Sequence, residues 1–180
     1  MKKDLDLKLS YLAGVKEQII EIYQRRNILI HNGGIANSIY FSKVHKTFKE
    51  EYKIGDEITI DKTYLDESIC VFHKSFILIA SELWKKLEPK SAQRGEELSD
   101  IVYENLSQER WDIAKGLSQF IVNDNNIDAE RRTVAFLNLC LSLKRLGMNE
   151  ELEEMIKEID YSDKQVYLQL GFLAIQDDIA

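Results

Sequence analysis

Proline occurs once, at Pro89, and glycine only eight times in 180 residues. Glycine interrupts helices through its backbone freedom and proline through its ring and missing N–H, so their scarcity leaves long segments free to be helical. Cysteine is also scarce. Cys70 and Cys140 lie in apolar helical patterns without metal-type spacing, which predicts reduced core thiols of a cytosolic protein. No run of eighteen apolar residues is present, so no membrane-spanning helix and no membrane partner are expected. The start, Met1-Lys2-Lys3-Asp4-Leu5-Asp6, carries charge where a signal peptide needs an apolar stretch, and a cytoplasmic location is expected. His31, His45 and His73 lie far apart without paired carboxylates at ligand spacing. That pattern predicts no metal site and no cofactor.

What is present is globular: 44% of residues are hydrophobic and 31% charged. Apolar residues recur at three and four along most of the chain, which predicts an all-α fold. Residues 4–31 read as one long helix and 35–53 as a broken one, followed by a turn at Gly55-Asp56 and a short extended stretch over 57–60. A long helix capped by Asp61 or Thr63 then runs to Leu87, with Leu65, Ile69, Phe72, Phe76, Ile79, Ala80 and Leu83 on its buried face. Pro89 ends it, and the polar stretch 90–95 is the candidate linker between a domain over 1–90 and an extension over 91–180. That extension reads as shorter helices, with Ser107, Asp128, Asn149 and Ser162 as starting caps.

The net charge of −7 is divided unevenly. Residues 1–95 carry 16 Lys+Arg against 13 Asp+Glu, and residues 96–180 carry 8 against 18. Within the first part, Arg25, Arg26, Lys43, Lys46, Lys49 and Lys53 face only Glu50 and Glu51 over residues 25–53. A basic island in an acidic chain suits a polyanion, although a solvated helix face accounts for the same charges.

Residues 22–34, Ile-Tyr-Gln-Arg-Arg-Asn-Ile-Leu-Ile-His-Asn-Gly-Gly, end a helix in a stop signal, because glycine takes a left-handed backbone at no steric cost. Arg26 and His31, an arginine and a histidine with four residues between, are thereby delivered near a helix terminus. Arginine offers phosphate a fixed charge and a donor fork and cannot act as a base. An imidazole, with an ordinary pKa of about 6.5, can accept or deliver a proton at cytosolic pH.

Arg26-Asn27-Ile28-Leu29-Ile30-His31, with "RRNILIHNGGIAN", the later "GDEITI" and a long amphipathic helix, resembles the HEPN family (higher eukaryotes and prokaryotes nucleotide-binding domains), over roughly residues 10–88. The resemblance implies a HEPN-like helical bundle and a metal-independent endoribonuclease of prokaryotic defence or toxin-like stress response. It implies a homodimer with RNA as substrate, catalytic roles for Arg26 and His31, and a supporting role for Asn27. Arg25, Lys43 and Lys46 become candidate RNA-backbone contacts. Family members usually have one or two more helices before the motif, so a partner chain supplying missing helices is a further possibility. The silent alternative is a HEPN-like module for dimerisation and binding of a partner protein or nucleotide.

RNA cleavage by its own 2′-hydroxyl needs one group to remove a proton and another to deliver one, so a single His31 per chain demands two protomers. On an ideal helix five residues place His31 about 140° round from Arg26. The pair shares a face only if the last turn is distorted. Otherwise Arg26 pairs with a carboxylate and His31 caps the helix end.

His73, on a core-type helix, is expected buried, and His45 on a solvated basic face. Residues 136–159, "FLNLCLSLKRLGMNEELEEMIKEI", resemble the helix-turn-helix join of tetratricopeptide-like repeats, which implies a helical interaction surface; ordinary α-hairpins fit equally well.

Overall fold

The structure is a computed structural model that describes residues 7, 12–49, 52–157 and 166–177. Among these the fold is all-α: α1 (Ala13–His31), α2 (Ser38–Lys43), α3 (Lys46–Lys49), α4 (Lys62–Leu87), α5 (Ala92–Ser107), α6 (Trp111–Val122), α7 (Ala129–Arg145), α8 (Asn149–Lys157) and α9 (Val166–Asp177). None of these helices is long and apolar enough to cross a membrane. The chain forms two compact units, Met1–Ile77 and Leu78–Ala180.

In the first unit, α1 covers the later part of the helix expected over 4–31, and positions 4–6 and 8–11 lie outside the described residues. Gly33 and Gly34 follow it with φ of 57° and 82°, as the stop signal requires. The chain then pairs briefly with itself. The Ile58 N–H donates to the Gly34 carbonyl at 2.7 Å and the Ala36 N–H to the Asp56 carbonyl at 2.8 Å. A single antiparallel bridge joins Ile35 and Glu57, so the extended stretch is real but too short for a sheet. Asn37 caps α2 by accepting from the Tyr40 N–H, and the broken second helix resolves into α2 and α3. Ile28, Ala36, Tyr40, Val44 and Ile58 form the core, with Phe41, Phe48 and Tyr52 packed against it.

The long helix α4 begins where expected, the Tyr64 N–H donating to the Asp61 carboxylate at 2.7 Å. Its packing is the reverse of the expectation. Leu65, Ile69, Phe72, Phe76 and Ile79 are exposed, whereas Ser68, Ser75, Leu78, Ser81 and Glu82 are buried. Ser68 and Ser75 donate their hydroxyls to the carbonyls of Tyr64 and Val71, one turn back in the same helix. A buried serine satisfied within its own helix costs little and leaves a narrow inward face. Cys70, expected in the core, is exposed on this helix, and His73 is only half-buried.

In the second unit α5, α6 and α7 pack on one another, and α7 also carries α8 and α9. Leu98, Val102, Ile113, Leu117, Ile121, Leu139, Cys140, Leu143 and Leu152 are buried. Burial pushes the Cys140 thiol up to about 12, which leaves it protonated. Asp128 caps α7, accepting from the Arg131 N–H at 2.9 Å. Ser107 does not cap α6; it closes α5, its hydroxyl donating to the Glu104 carbonyl, and α6 starts after Arg110. Asn149 is the first residue of α8, and Ser162 lies outside the described residues. On α9, Leu168, Phe172 and Ile175 are buried, while Leu170 and Leu173 are exposed.

Residues 90–95 are not a linker. Arg94 is 0% exposed and donates from Nε and Nη2 to Asp124 Oδ2, at 3.2 and 2.9 Å. It also donates to the carbonyls of Glu88 and Pro89. Asp124, equally buried, accepts the Asn126 N–H at 3.1 Å and lies 3.6 Å from Lys85 Nζ. Gly95 lets α5 approach closely, since a Cβ there would meet Ile127 at 3.2 Å. The pair thus ties the α4–α5 turn to the α6–α7 loop. Asp124→Ala leaves Arg94 buried without its counter-charge, and the expected loss in urea unfolding is about 3–5 kcal/mol; a loss under about 1 kcal/mol would show that the pair does not organise this unit.

Candidate functional site

Two adjacent arginines on α1 separate into opposite environments, because successive residues on a helix point about 100° apart. Arg25 is 5% exposed. Its Nε donates to Glu21 Oε1 at 2.7 Å, one turn earlier, and its Nη1 to the Thr59 carbonyl at 3.4 Å. The guanidinium lies 4.0 Å from the centre of the Tyr64 ring and 5.4 Å from that of Tyr52. Glu21, 2% exposed, also accepts from the hydroxyls of Tyr40 and Tyr64, both at 2.8 Å. The carboxylate thus gathers donors from α1, α2 and α4. Burial disfavours the charged form of Arg25, but the Glu21 hydrogen bond and charge more than offset it and leave the pKa above its ordinary range. Arg25 therefore belongs to the core and is not a surface contact for an RNA backbone.

Arg26 is exposed and has no carboxylate partner among the described residues. Its Nη1 donates to the Asn27 side-chain carbonyl at 3.1 Å. Asn27 and His31 are four apart, so they share a face one turn apart, and the Asn27 contact draws the guanidinium toward that face. His31 is exposed and is the last residue of α1. The helix stays regular to its end, the Asn32 N–H donating to the Ile28 carbonyl at 2.9 Å. The distortion that would swing Arg26 and His31 onto one face is absent. Arg26 instead lines a groove of about 410 Å³ with Ile19, Ile22, Tyr23 and Phe72, a setting that is almost wholly apolar.

Lys43 and Lys46 are exposed. Lys43 lines a smaller pocket with Lys16, Glu17 and His45, and His45 Nδ1 lies 2.9 Å from Thr47 Oγ1 and 3.6 Å from a Glu17 carboxylate oxygen. No group of three or more His, Cys, Asp or Glu side chains among the described residues could hold a metal ion. Sequence reasoning missed Glu21 and its tyrosines; the only signal was an acid four residues before an arginine, a common surface pattern. The protein is all-α among its described residues, with Arg26 and His31 exposed near the end of its first helix. Compared with family models, curated proteins and solved structures, the chain matches none.

Burial, then the Glu21 hydrogen bond, raises the pKa of both Tyr40 and Tyr64 above the ordinary 10.0. The folded protein thus holds these protons more tightly than the unfolded chain, and their contribution to stability is complete below that value and lost as pH rises above it. Urea midpoints should fall above pH 10, the ordinary tyrosine value, and Tyr64→Phe should flatten that fall. An unchanged slope in Tyr64→Phe would remove the tyrosine from this role.

Proposed function

We propose that this chain is a HEPN-type, metal-independent endoribonuclease that works as a homodimer, in prokaryotic antiphage defence or a toxin-like stress response. The observation that carries the reading is an exposed Arg26, hydrogen-bonded to Asn27, and an exposed His31 at the end of the same helix. Arg26 is held by Asn27 rather than by a carboxylate, and Asn27 sits one turn before an exposed histidine. The neighbouring Arg25 is held in the core, so of the two adjacent arginines Arg26 is the one exposed to a phosphate.

In the reaction, the His31 imidazole of one protomer takes the proton from the 2′-hydroxyl of the RNA. The 2′-oxygen bonds to phosphorus as the bond to the 5′-oxygen breaks, and the His31 of the second protomer delivers a proton to that leaving oxygen. The products are a 2′,3′-cyclic phosphate and a 5′-hydroxyl. Arg26 stabilises the extra negative charge of the phosphorane through its donor fork. The exposed Lys43 and Lys46 extend a positive surface for the RNA backbone.

A second reading, a silent HEPN-like module for dimerisation and partner-protein or nucleotide binding, draws on one observation. The regular end of α1 keeps Arg26 and His31 about 140° apart, and no deformation places both on one phosphate from a single chain.

The test is RNA degradation by the purified chain in the presence of a chelator. Arg26→Ala and His31→Ala should each lose at least about 100-fold in rate with unchanged helical circular dichroism, and the wild-type products should carry cyclic phosphate ends. Undiminished cleavage by His31→Ala would overturn the ribonuclease reading, and no cleavage by the wild type on any RNA would favour the silent module.

A further inference from the structure

On α4, Leu65, Ile69, Phe72 and Phe76 are spaced four, three and four, and the spacing carries on to Ile79. That is the spacing of a seam on which another helix packs, side chains of each entering gaps of the other. Here the seam faces outward. Leu65, Ile69, Phe72 and Phe76 are each at least half exposed, Phe76 at 73%. Beside it, Ile19, Ile22 and Tyr23 of α1 form with Phe72 the apolar groove that Arg26 lines.

We infer that this face is the dimerisation surface of the chain, with a second copy packing its α4 antiparallel on the first. Three observations select a second copy. The face carries both halves of a joint, a projecting Phe76 and, one turn away, a groove beside Phe72; a surface with knob and hole together is complementary to itself across a two-fold axis. The occupant must present a helix with the same spacing, and α4 itself does. The area also suffices: Tyr23, Leu65, Ile69, Phe72 and Phe76 leave on the order of 600 Å² per chain uncovered, near the roughly 800 Å² per partner of a stable interface. A two-fold axis beside Phe72 and Phe76 seats each Phe76 in the groove of its mate, where four phenyl rings meet.

The seam is read from packing alone; its bearing on catalysis rests on the reading proposed above. Because Arg26 lines the groove that the mate's Phe76 enters, the axis brings the two Arg26 guanidinium groups to one joint.

The test is the mass of the full chain in solution by sedimentation equilibrium, with RNA cleavage measured on the same samples. Wild type should be a dimer at micromolar concentration. Phe76→Glu, which alters a side chain already facing solvent, should be monomeric with unchanged helical circular dichroism. Tyr103→Glu, at an equally exposed ring on α5 (74%), should remain a dimer. A monomeric wild type, a dimeric Phe76→Glu, or dissociation by Tyr103→Glu would each overturn the assignment. A dimer broken by Phe76→Glu but inactive on RNA in the wild type supports the surface and removes the ribonuclease reading. Cleavage by a monomeric wild type removes the surface and the division of acid and base between two protomers, and leaves only the ribonuclease activity standing.

Discussion

A carboxylate buried away from water must collect donors or lose its charge, and Glu21 shows how one such group arranges its surroundings. It takes a hydrogen bond from Arg25 on its own helix and one from each of two tyrosines on α2 and α4. Arg25 in turn reaches the Thr59 carbonyl, and with it the segment that precedes α4. Rotating α1 by one residue would bury Arg26 in place of Arg25 and carry Glu21, with Arg25 still bonded to it, away from the hydroxyls of Tyr40 and Tyr64. The lock that holds the first unit therefore also decides which arginine faces solvent. That follows from the pitch of the helix and from where its acid sits.

The reversal of α4 has a different origin. A helical pattern says which residues lie together on one face, and it assigns Leu65, Ile69, Phe72 and Phe76 to one face correctly. Which face the chain covers depends on what the neighbouring elements offer. Serine hydroxyls that bond to their own helix let the opposite face be covered without an unsatisfied polar group, and the apolar face is left outward. Exposed side chains of this size in a contiguous stripe mark an interaction surface rather than a scatter of single residues.

The second unit uses another buried pair for another purpose. Arg94 and Asp124 are both fully enclosed, and Arg94 spends its remaining donors on the carbonyls of Glu88 and Pro89, where α4 ends. A polar stretch that composition marks as a linker becomes a turn anchored through the buried Arg94. Its charge looked like solvent-facing charge only because Asp124 lies thirty residues away in sequence.

Local pattern is enough to make the chain helical, to place the starts of α4 and α7 and the end of α1, and to bring Arg26 and His31 near that end. These features rest on local forces: apolar spacing, capping side chains at Asp61 and Asp128, and the left-handed backbone at Gly33 and Gly34. Contacts between distant segments are what make Arg25 core and Arg26 surface, turn the apolar face of α4 outward and anchor residues 90–95. Each of those outcomes turns on a partner distant in the chain, such as Tyr64 for Glu21 or Asp124 for Arg94, and local periodicity carries no record of distant partners.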